Sequence, residues 1–191
     1  GSKPSVPEGW KLSLGDTLIT SDTIFELSDL PKSMAVVGTG AIGLELAQAM
    51  SRLGVEVAIF NRSKNVGGIK DDSINQKAIA CFSNQLDLRL DTKIESVSRD
   101  DGVSPAQAVI NYTDADGNAQ TWRGEKVLAA TGRRNSLHTL GLEHVGVHLD
   151  DKNRPLDMDK LTGKIKDTNV NSVGDAKAYM PLLHVSSNEG Y

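Results

Sequence analysis

A run of four apolar residues followed by three spaced glycines limits the fold more than any other feature of this 191-residue chain. The run, Met34–Val37, has no alternation and predicts a short buried strand. Gly38, Gly40 and Gly43 follow at the G-x-G-x-x-G spacing, and the next residues predict a helix that ends at Gly54. A second apolar strand follows, so the order is strand, tight turn, helix, strand. The apolar stripe of the helix consists of Leu46, Ala47, Met50 and Leu53.

This order is typical of a dinucleotide-binding site. A helix N-terminus has backbone N–H groups with no partner inside the helix, and such groups bind a pyrophosphate. Gly38 permits the tight turn, Gly40 lets the backbone approach the phosphate, and Gly43 lets the helix pack closely on the strand. The alternative is a glycine-rich turn in an α/β protein that binds no nucleotide. The two flanking strands favour the dinucleotide site.

The residues after the second strand indicate which nicotinamide cofactor binds. An acidic residue about 20 positions beyond the glycines accepts a hydrogen bond from the ribose 2′-OH of NAD, whereas an arginine pairs with the 2′-phosphate of NADP. This sequence has Asn61 and Arg62 at that place and no acid. A solvated basic loop is the alternative, so the pattern favours NADP over NAD only slightly.

The remainder of the first 130 residues predicts a second helix and a β-meander. Asp71-Asp72-Ser73 can cap the helix, in which Cys81 is expected to be a minor packing residue. Asp116-Gly117 is a hairpin signal between strands at 106–112 and 119–122. We therefore predict an α/β fold, in which a Rossmann-like parallel sheet is joined by an antiparallel β-meander. The apolar face of the helix consists of Ile74, Ala78, Ile79 and Phe82, and the other strands are predicted at 86–90, 94–97 and 127–130.

Composition argues against several classes of function. A net charge of −4 and a pI near 5.6 leave no basic surface for nucleic acid or an anionic membrane. No apolar run approaches the roughly 20 residues that a membrane span needs, and the first residues lack the layout of a signal peptide. The single cysteine, Cys81, excludes an internal disulfide and favours a cytoplasmic setting. His138, His144 and His148 lack the spacing of a metalloprotease motif, so we expect surface or boundary residues and no metal site.

Several motifs follow one another in a specific order along the chain. Gly-Ser-Lys-Pro begins at residue 1, Val-Gly-Thr-Gly-Ala-Ile-Gly-Leu-Glu at residue 37, and Ala-Thr-Gly-Arg at residue 130. Val-Gly-Asp begins at residue 173 and is followed by Leu-Leu-His-Val and Glu-Gly. In this order the motifs resemble the flavin-dependent pyridine nucleotide-disulfide oxidoreductases of class I, most closely the dihydrolipoamide dehydrogenase branch. The resemblance covers essentially the whole chain. It implies a parent enzyme, a homodimer, that transfers a hydride between a nicotinamide and FAD.

The resemblance also implies residues for both cofactors. Glu45 is expected near the nicotinamide ring, and Asp175 is expected to hold the ribityl chain of the flavin. The residues implied for NAD or NADP are Gly38, Thr39, Gly40, Ala41, Ile42, Gly43, Leu44, Glu45, Asn61, Arg62, Ile94 and Gly132. The residues implied for FAD in the intact parent are Gly1, Ser2, Asp175, Pro181, Leu182, Leu183 and His184.

The same resemblance divides the chain into three parts. Residues 1–13 are expected to be the end of the first half of the FAD domain and a linker, and residues 14–135 the NAD(P)-binding domain. Residues 136–191 are expected to return into a truncated FAD domain. We therefore interpret the chain as the NAD(P)-binding fragment of a longer flavoenzyme.

Some residues depart from the family pattern. Asn61 replaces the NAD-type glutamate, and Arg62 falls where glutathione reductase-like members hold the 2′-phosphate. Ala41 replaces the tyrosine gate of those reductases, and Arg133-Arg134-Asn135 lacks a proline that many members carry. These departures concern the cofactor and the substrate rather than the fold.

The groups that perform the family's chemistry are not in this sequence. It has no C-x-x-x-x-C disulfide, no N-terminal flavin-binding glycine motif and no histidine-glutamate pair from a dimer-forming domain. We therefore expect no catalytic residue in the chain and no turnover by it alone. One alternative is a stand-alone dehydrogenase, but none of Tyr112, Tyr179 and Tyr191 has a lysine four residues on. Another is a non-catalytic NAD(P)-binding redox sensor or regulatory module.

Overall fold

The structure is a computed structural model that describes residues 1–177 and 183–189, and of residues 183 and 184 it describes the backbone only. It contains two compact units. The central unit is Pro4–Gly132, and the terminal unit combines Gly1–Lys3 with the described part of Arg133–Tyr191. The predicted division at residues 13 and 135 stays a prediction.

The described part of the chain contains ten strands and four α-helices. In chain order they are β1 (Ser2–Pro4), α1 (Trp10–Leu14), β2 (Leu18–Thr20), β3 (Ser33–Val37), α2 (Ala41–Arg52), β4 (Glu56–Phe60), α3 (Asp72–Ser83), β5 (Asp87–Arg89), β6 (Lys93–Asp100), β7 (Gln107–Thr113), β8 (Ala119–Gly124), β9 (Lys126–Ala129), β10 (Arg133–Asn135) and α4 (Leu183–Glu189). Short 3₁₀ helices lie at 15–17, 24–26, 137–139, 142–145 and 174–177.

The central unit is built on a parallel sheet with the strand order β2-β9-β3-β4-β5. Alternate residues of its strands are buried on opposite faces. Val36 packs in a core with Leu44 and Met50 of α2, whereas Ala35 packs in a second core with Ile110 and Trp122 of the meander. Because both faces are covered, the strands are continuous apolar runs rather than alternating ones. The predicted α/β fold, with a parallel sheet and antiparallel strands, is confirmed.

The meander is an antiparallel sheet of β6, β7 and β8. Its predicted hairpin is present, since β7 and β8 pair antiparallel on either side of the turn. Oδ1 of Asp114 accepts hydrogen bonds from the backbone N–H of Asp116 at 3.0 Å and of Asn118 at 2.9 Å. Gly117 takes the left-handed conformation, with φ of 86°.

Helix α3 begins as predicted, and Ala78, Ile79 and Phe82 of its predicted apolar face pack against the core. Only the first turn of this face differs from the prediction. Oδ1 of Asp71 caps the helix by accepting from the backbone N–H of Ile74 at 3.0 Å, and that bond is the main reason why the pKa of Asp71 is lowered. Ile74 itself is 55% exposed, and the polar Asn75 is the buried residue of the first turn. Cys81 is exposed rather than packed. On α2, Leu53 is likewise exposed, because the helix ends at Arg52 and Leu53 caps it.

The terminal unit consists of short elements. β1 pairs with β10 in a two-stranded sheet, and three isolated bridges join the segments between residues 149 and 171. Val147 and Ile165 are its most deeply buried apolar residues, at 2% and 3% exposure. The 3₁₀ helix at 174–177 contains the predicted Gly-Asp motif.

Candidate dinucleotide-binding site

Gly38 and Gly43 close the turn between β3 and α2 by direct backbone packing. A Cβ on Gly38 would meet the carbonyl oxygen of Ala130, and Gly38 has φ of +115°. A Cβ on Gly43 would meet the carbonyl oxygen of Gly38 and the Cβ of Ala130. These contacts leave no space for a side chain, so the start of α2 lies directly against the ends of β3 and β9.

Gly40, unlike Gly38 and Gly43, borders open space. It is the N-cap residue of α2, and no heavy atom lies within 4 Å of the place where its Cβ would stand. Its carbonyl accepts from the backbone N–H of Leu44 at 3.0 Å, which is the first bond of the helix. Within residues 1–177 and 183–189, the backbone N–H groups of Ala41, Ile42 and Gly43 have no recorded acceptor. Open space beside free donors is what a pyrophosphate requires.

The side chain of Thr39 is used inside the protein. Thr39 is 5% exposed, and its Oγ1 donates to the carbonyl of Asn65 at 3.0 Å. Its own carbonyl accepts from the backbone N–H of Gly67 at 2.7 Å. Thr39 therefore ties the glycine turn to the loop that follows β4, and a ligand could reach only its backbone.

The loop after β4 carries the predicted selectivity residues. Nδ2 of Asn61 donates to the carbonyl and Oγ of Ser63, at 3.0 and 2.9 Å, and to the carbonyl of Asn65 at 3.1 Å. Arg62 is exposed and has no ion pair with any residue that the structure describes. Lys64 pairs with Asp91 at 3.4 Å. Of the two cations at residues 61–67, Arg62 is thus the one without an ion pair among the described residues.

Two contacts near this loop were not predicted. The buried side chain of Asn75 bonds to the loop backbone, and nothing in the sequence distinguishes it from a surface asparagine. Arg89 lies against two neighbouring rings, with its guanidinium carbon 5.2 Å from the ring centre of Phe60 and 5.6 Å from that of Tyr112. Its Nη1 donates to the Tyr112 hydroxyl at 2.8 Å, and its carbonyl accepts from the backbone N–H of Asn61 at 3.0 Å.

The other residues implied for NAD(P) lie in different environments. Ile42 and Glu45 are exposed on the first turn of α2, whereas the side chain of Leu44 is buried in the core. Gly132 is exposed, with φ of +111°. Ile94 is half-buried against the core between the parallel sheet and the meander. Of these residues, the structure brings Ile42 and Glu45 to the glycine turn with their side chains accessible.

In the terminal unit, two residues implied for FAD are in direct contact. The hydroxyl of Ser2 donates to Oδ2 of Asp175 at 2.7 Å, and Ser186 donates to Oδ1 at 3.0 Å. Nε of Arg133 donates to the Ser2 hydroxyl at 2.7 Å. The pKa of Asp175 is lowered, chiefly by the Ser2 hydrogen bond, with smaller contributions from Ser186 and the charge of Arg133.

A partly buried ion pair supports the same Gly-Asp turn. Oε2 of Glu189 accepts from the backbone N–H of Gly174 at 2.8 Å, and Oε1 pairs with Nζ of Lys177. These contacts lower the pKa of Glu189, that of Lys177 most. Lys177 also donates to the carbonyl of Leu161 at 3.1 Å.

The other residues implied for FAD are described to different extents. Gly1 lies in the terminal unit, where its carbonyl accepts from the backbone N–H of Ser136 at 3.2 Å. Pro181 and Leu182 lie outside the described residues. Leu183 and His184 begin α4, and only their backbone is described.

A model of the family "Pyridine nucleotide-disulphide oxidoreductase" matches residues 1–190. The chain belongs to this family. Similar curated proteins include dihydrolipoyl dehydrogenase of Manduca sexta, 31% identical over 174 residues that make up 91% of this chain and 35% of that protein. Mercuric reductase of Staphylococcus aureus is 29% identical over 191 residues, all of this chain and 34% of the relative. This chain therefore spans about a third of the length of these relatives.

Solved structures agree on the fold of this chain. The HOCl-induced flavoprotein disulfide reductase RclA from Escherichia coli gives a TM-score of 0.83 at 19% identity and covers 99% of this chain and 41% of its own. LpdA from Mycobacterium tuberculosis gives a TM-score of 0.76 at 26% identity and covers 100% of this chain and 39% of its own.

Membership of the pyridine nucleotide-disulphide oxidoreductase family brings expectations about cofactors and setting. Members of the family depend on FAD and on NAD or NADP.

None of the helices within residues 1–177 and 183–189 has the length and apolar character that a membrane span needs. Over the same ranges, no three His, Cys, Asp or Glu side chains form a group that could hold a metal ion. The cytoplasmic setting stays a prediction.

Proposed function

We propose that this chain binds a nicotinamide dinucleotide at the N-terminus of α2 and prefers NADP(H) to NAD(H). We also propose that it is the nicotinamide-binding part of an FAD-dependent, dihydrolipoyl dehydrogenase-like oxidoreductase that acts on a sulfur group. The observation that carries the proposal is the open space at Gly40 beside the backbone N–H groups of Ala41, Ile42 and Gly43, which donate to no acceptor among the described residues. A pyrophosphate is the ligand that such a turn binds in α/β sheets.

The residues around the turn would have separate roles. The backbone N–H groups from Gly40 to Gly43 would bind the pyrophosphate, and the exposed Ile42 and Glu45 would lie along the nicotinamide half. Thr39 and Leu44 would contribute through their backbone only, because their side chains are buried. Gly132 and Ile94, assigned by family resemblance, complete this set as predictions.

The preference for NADP(H) is supported by the charge of the loop after β4. Arg62 is exposed and unpaired within the described residues, so its guanidinium can bind a dianionic 2′-phosphate. A charge-assisted contact contributes on the order of 1.5–3 kcal/mol, which is about tenfold or more in affinity. Nδ2 of Asn61 donates only within the loop. Its Oδ1 accepts no hydrogen bond from the residues that the structure describes, so it can accept one from a ribose hydroxyl.

The terminal unit would contribute to FAD binding in the intact enzyme. When bound, FAD supplies the ring that exchanges a hydride with the nicotinamide. The carboxylate of Asp175 accepts one hydrogen bond on each oxygen from Ser2 and Ser186. Each oxygen has a further lone pair, so the group can also accept from a ribityl hydroxyl. The assignments of Gly1, Pro181, Leu182, Leu183 and His184 stay predictions.

We expect the chain alone to bind nucleotide without reducing a disulfide substrate. Its single cysteine cannot form the dithiol that such a reaction needs. Lipoamide reduction by the purified chain would contradict this part of the proposal. A homodimeric parent also stays a prediction.

A pair of valine substitutions tests the site. NADPH and NADH are titrated into the wild-type chain, Gly40→Val and Ala49→Val, with nicotinamide fluorescence as the readout. Gly40→Val places a side chain where the pyrophosphate would lie, whereas Ala49 is exposed on the same helix away from the turn. We expect wild type and Ala49→Val to bind NADPH more tightly than NADH, and Gly40→Val to bind neither at an unchanged thermal midpoint. A wild-type chain that binds neither nucleotide would overturn the proposal.

A further inference from the structure

Asn75 is a buried polar side chain on α3 that is engaged with the loop after β4. It is 6% exposed. Its Oδ1 accepts from the backbone N–H of Val66 at 3.0 Å. Its Nδ2 lies 3.3 Å from the carbonyl of Lys64 and 3.4 Å from Oδ1 of Asn65. One side chain therefore contacts three consecutive loop residues.

The same loop segment is connected to the glycine turn and to the selectivity residues. The carbonyl of Asn65 accepts from Oγ1 of Thr39 at 3.0 Å and from Nδ2 of Asn61 at 3.1 Å. Gly67 donates to the carbonyl of Thr39 at 2.7 Å. A continuous set of hydrogen bonds thus runs from Asn75 through Asn65 to both ends of the candidate site.

We propose that Asn75 is a positioning residue for nucleotide selection, which fixes the loop at 61–67 so that Arg62 is held at a constant place relative to the Gly40 turn. This inference rests on the proposed function. Arg62 has no ion pair among the described residues, so the backbone of the loop is what limits where its guanidinium can reach. A rigid loop lowers the entropy lost when Arg62 binds a phosphate.

The chemistry of the contacts explains why an asparagine suits this position. The backbone N–H of Val66 needs an acceptor, and Val66 is fully buried. The oxygens of Lys64 and Asn65 need donors. A primary amide supplies both kinds of group from one side chain, whereas an apolar residue would leave the buried N–H unpaired.

The test compares Asn75→Leu, Asn75→Asp, Arg62→Ala and the control Gln76→Leu, which changes an exposed neighbour on α3. Leucine removes all three contacts, and aspartate keeps an acceptor for Val66 but removes both donors. The dissociation constants for NADPH and NADH and the thermal midpoint are measured for each. We expect the NADPH preference to fall about tenfold in Asn75→Leu, to the level of Arg62→Ala. The preference should also fall in Asn75→Asp, whereas Gln76→Leu should keep it.

Two further outcomes separate this inference from a purely structural role. In the double variant Asn75→Leu/Arg62→Ala, the preference should fall no further than in Arg62→Ala, because Asn75 acts through Arg62. If both Asn75 variants bind NADPH and NADH more weakly by the same factor, the ratio of the two dissociation constants is unchanged. That result would overturn this inference and leave the proposed function standing. A wild-type chain without NADPH preference would overturn the proposed selectivity and this inference together. If Asn75→Leu does not fold, Asn75→Asp alone decides the outcome.

Discussion

The hydroxyl of Ser2 donates a 2.7 Å hydrogen bond to Oδ2 of Asp175, although 173 positions separate the two residues. Both residues were assigned to FAD by family resemblance, and the terminal unit brings them into contact. The Ser2 hydrogen bond, with smaller contributions from Ser186 and the charge of Arg133, lowers the pKa of Asp175.

This network predicts a pH dependence of stability. The pKa of Asp175 is lowered on folding, chiefly by the Ser2 hydrogen bond. The stabilisation is therefore present above the ordinary aspartate pKa of 3.8 and is lost as the pH falls through the lower folded value. The thermal midpoint of Asp175→Asn should lie below that of wild type at neutral pH, and the difference should shrink below about pH 4. The exposed Asp157→Asn is the control. A difference that does not change with pH would contradict the account.

The glycine turn predicts that the same substitution is costly at one position and nearly neutral at another. Gly43→Ala should destabilise the chain by about 1–3 kcal/mol, because its methyl group would meet the carbonyl of Gly38. Helix propensity alone would predict the reverse, since alanine is favoured over glycine by about 1 kcal/mol. Gly40→Ala should leave the free energy of unfolding nearly unchanged, because its methyl group would enter open space. Urea unfolding measures both, and an unaffected Gly43→Ala would show that the packing is looser than described.

The position of Arg89 against Phe60 and Tyr112 predicts a stabilising contribution from a side chain that is partly buried. Arg89→Met should cost about 1–2 kcal/mol, because it removes two cation–π contacts and the hydrogen bond to the Tyr112 hydroxyl as well as an exposed ion pair with Asp87. Arg123→Met is the matched control, since it removes only an exposed ion pair with Asp100 and should cost less than about 1 kcal/mol. If urea unfolding gives the same loss in free energy of unfolding for both variants, the contacts of Arg89 with the two rings do not contribute to stability.

Arg62 should determine the choice between the two nicotinamide cofactors. Arg62→Ala should remove an NADPH preference of about tenfold or more, because the 2′-phosphate loses its cationic partner. Arg52→Ala, at the other end of α2, should leave the preference unchanged. Added salt should reduce the preference of the wild-type chain, since the contact is exposed. Competition titration with both nucleotides measures the ratio of their affinities. If Arg62→Ala keeps the NADPH preference, another residue must be its source.

Local sequence patterns predicted the elements that depend on local chemistry. The run Met34–Val37, the three spaced glycines and Gly54 predicted β3, α2 and the end of α2. Asp116-Gly117 predicted the hairpin, and Asp71 predicted the start of α3. In each case the residue that starts or ends the element acts through its own backbone or its nearest neighbours.

The features that were missed depend on residues far apart in the sequence. β2 has three residues, and it is a strand because it pairs with β9, more than 100 positions later. Asn75 is polar and lies in a helix, so its sequence context indicates a surface residue. Its burial follows from the path of the loop after β4, which no local pattern encodes. Ile74, chosen for its hydrophobicity, is the exposed neighbour of Asn75.

The most direct test of the account observes the backbone N–H groups at the start of α2. The ¹⁵N-labelled chain is titrated with NADPH, and the amide signals of residues 39–43 are followed by NMR. We predict that the signals of Gly40 to Gly43 shift together and saturate with the binding curve, because their N–H groups donate to the pyrophosphate. The same signals should not move in Gly40→Val. Saturable NADPH binding that leaves these amides unshifted would contradict the central claim.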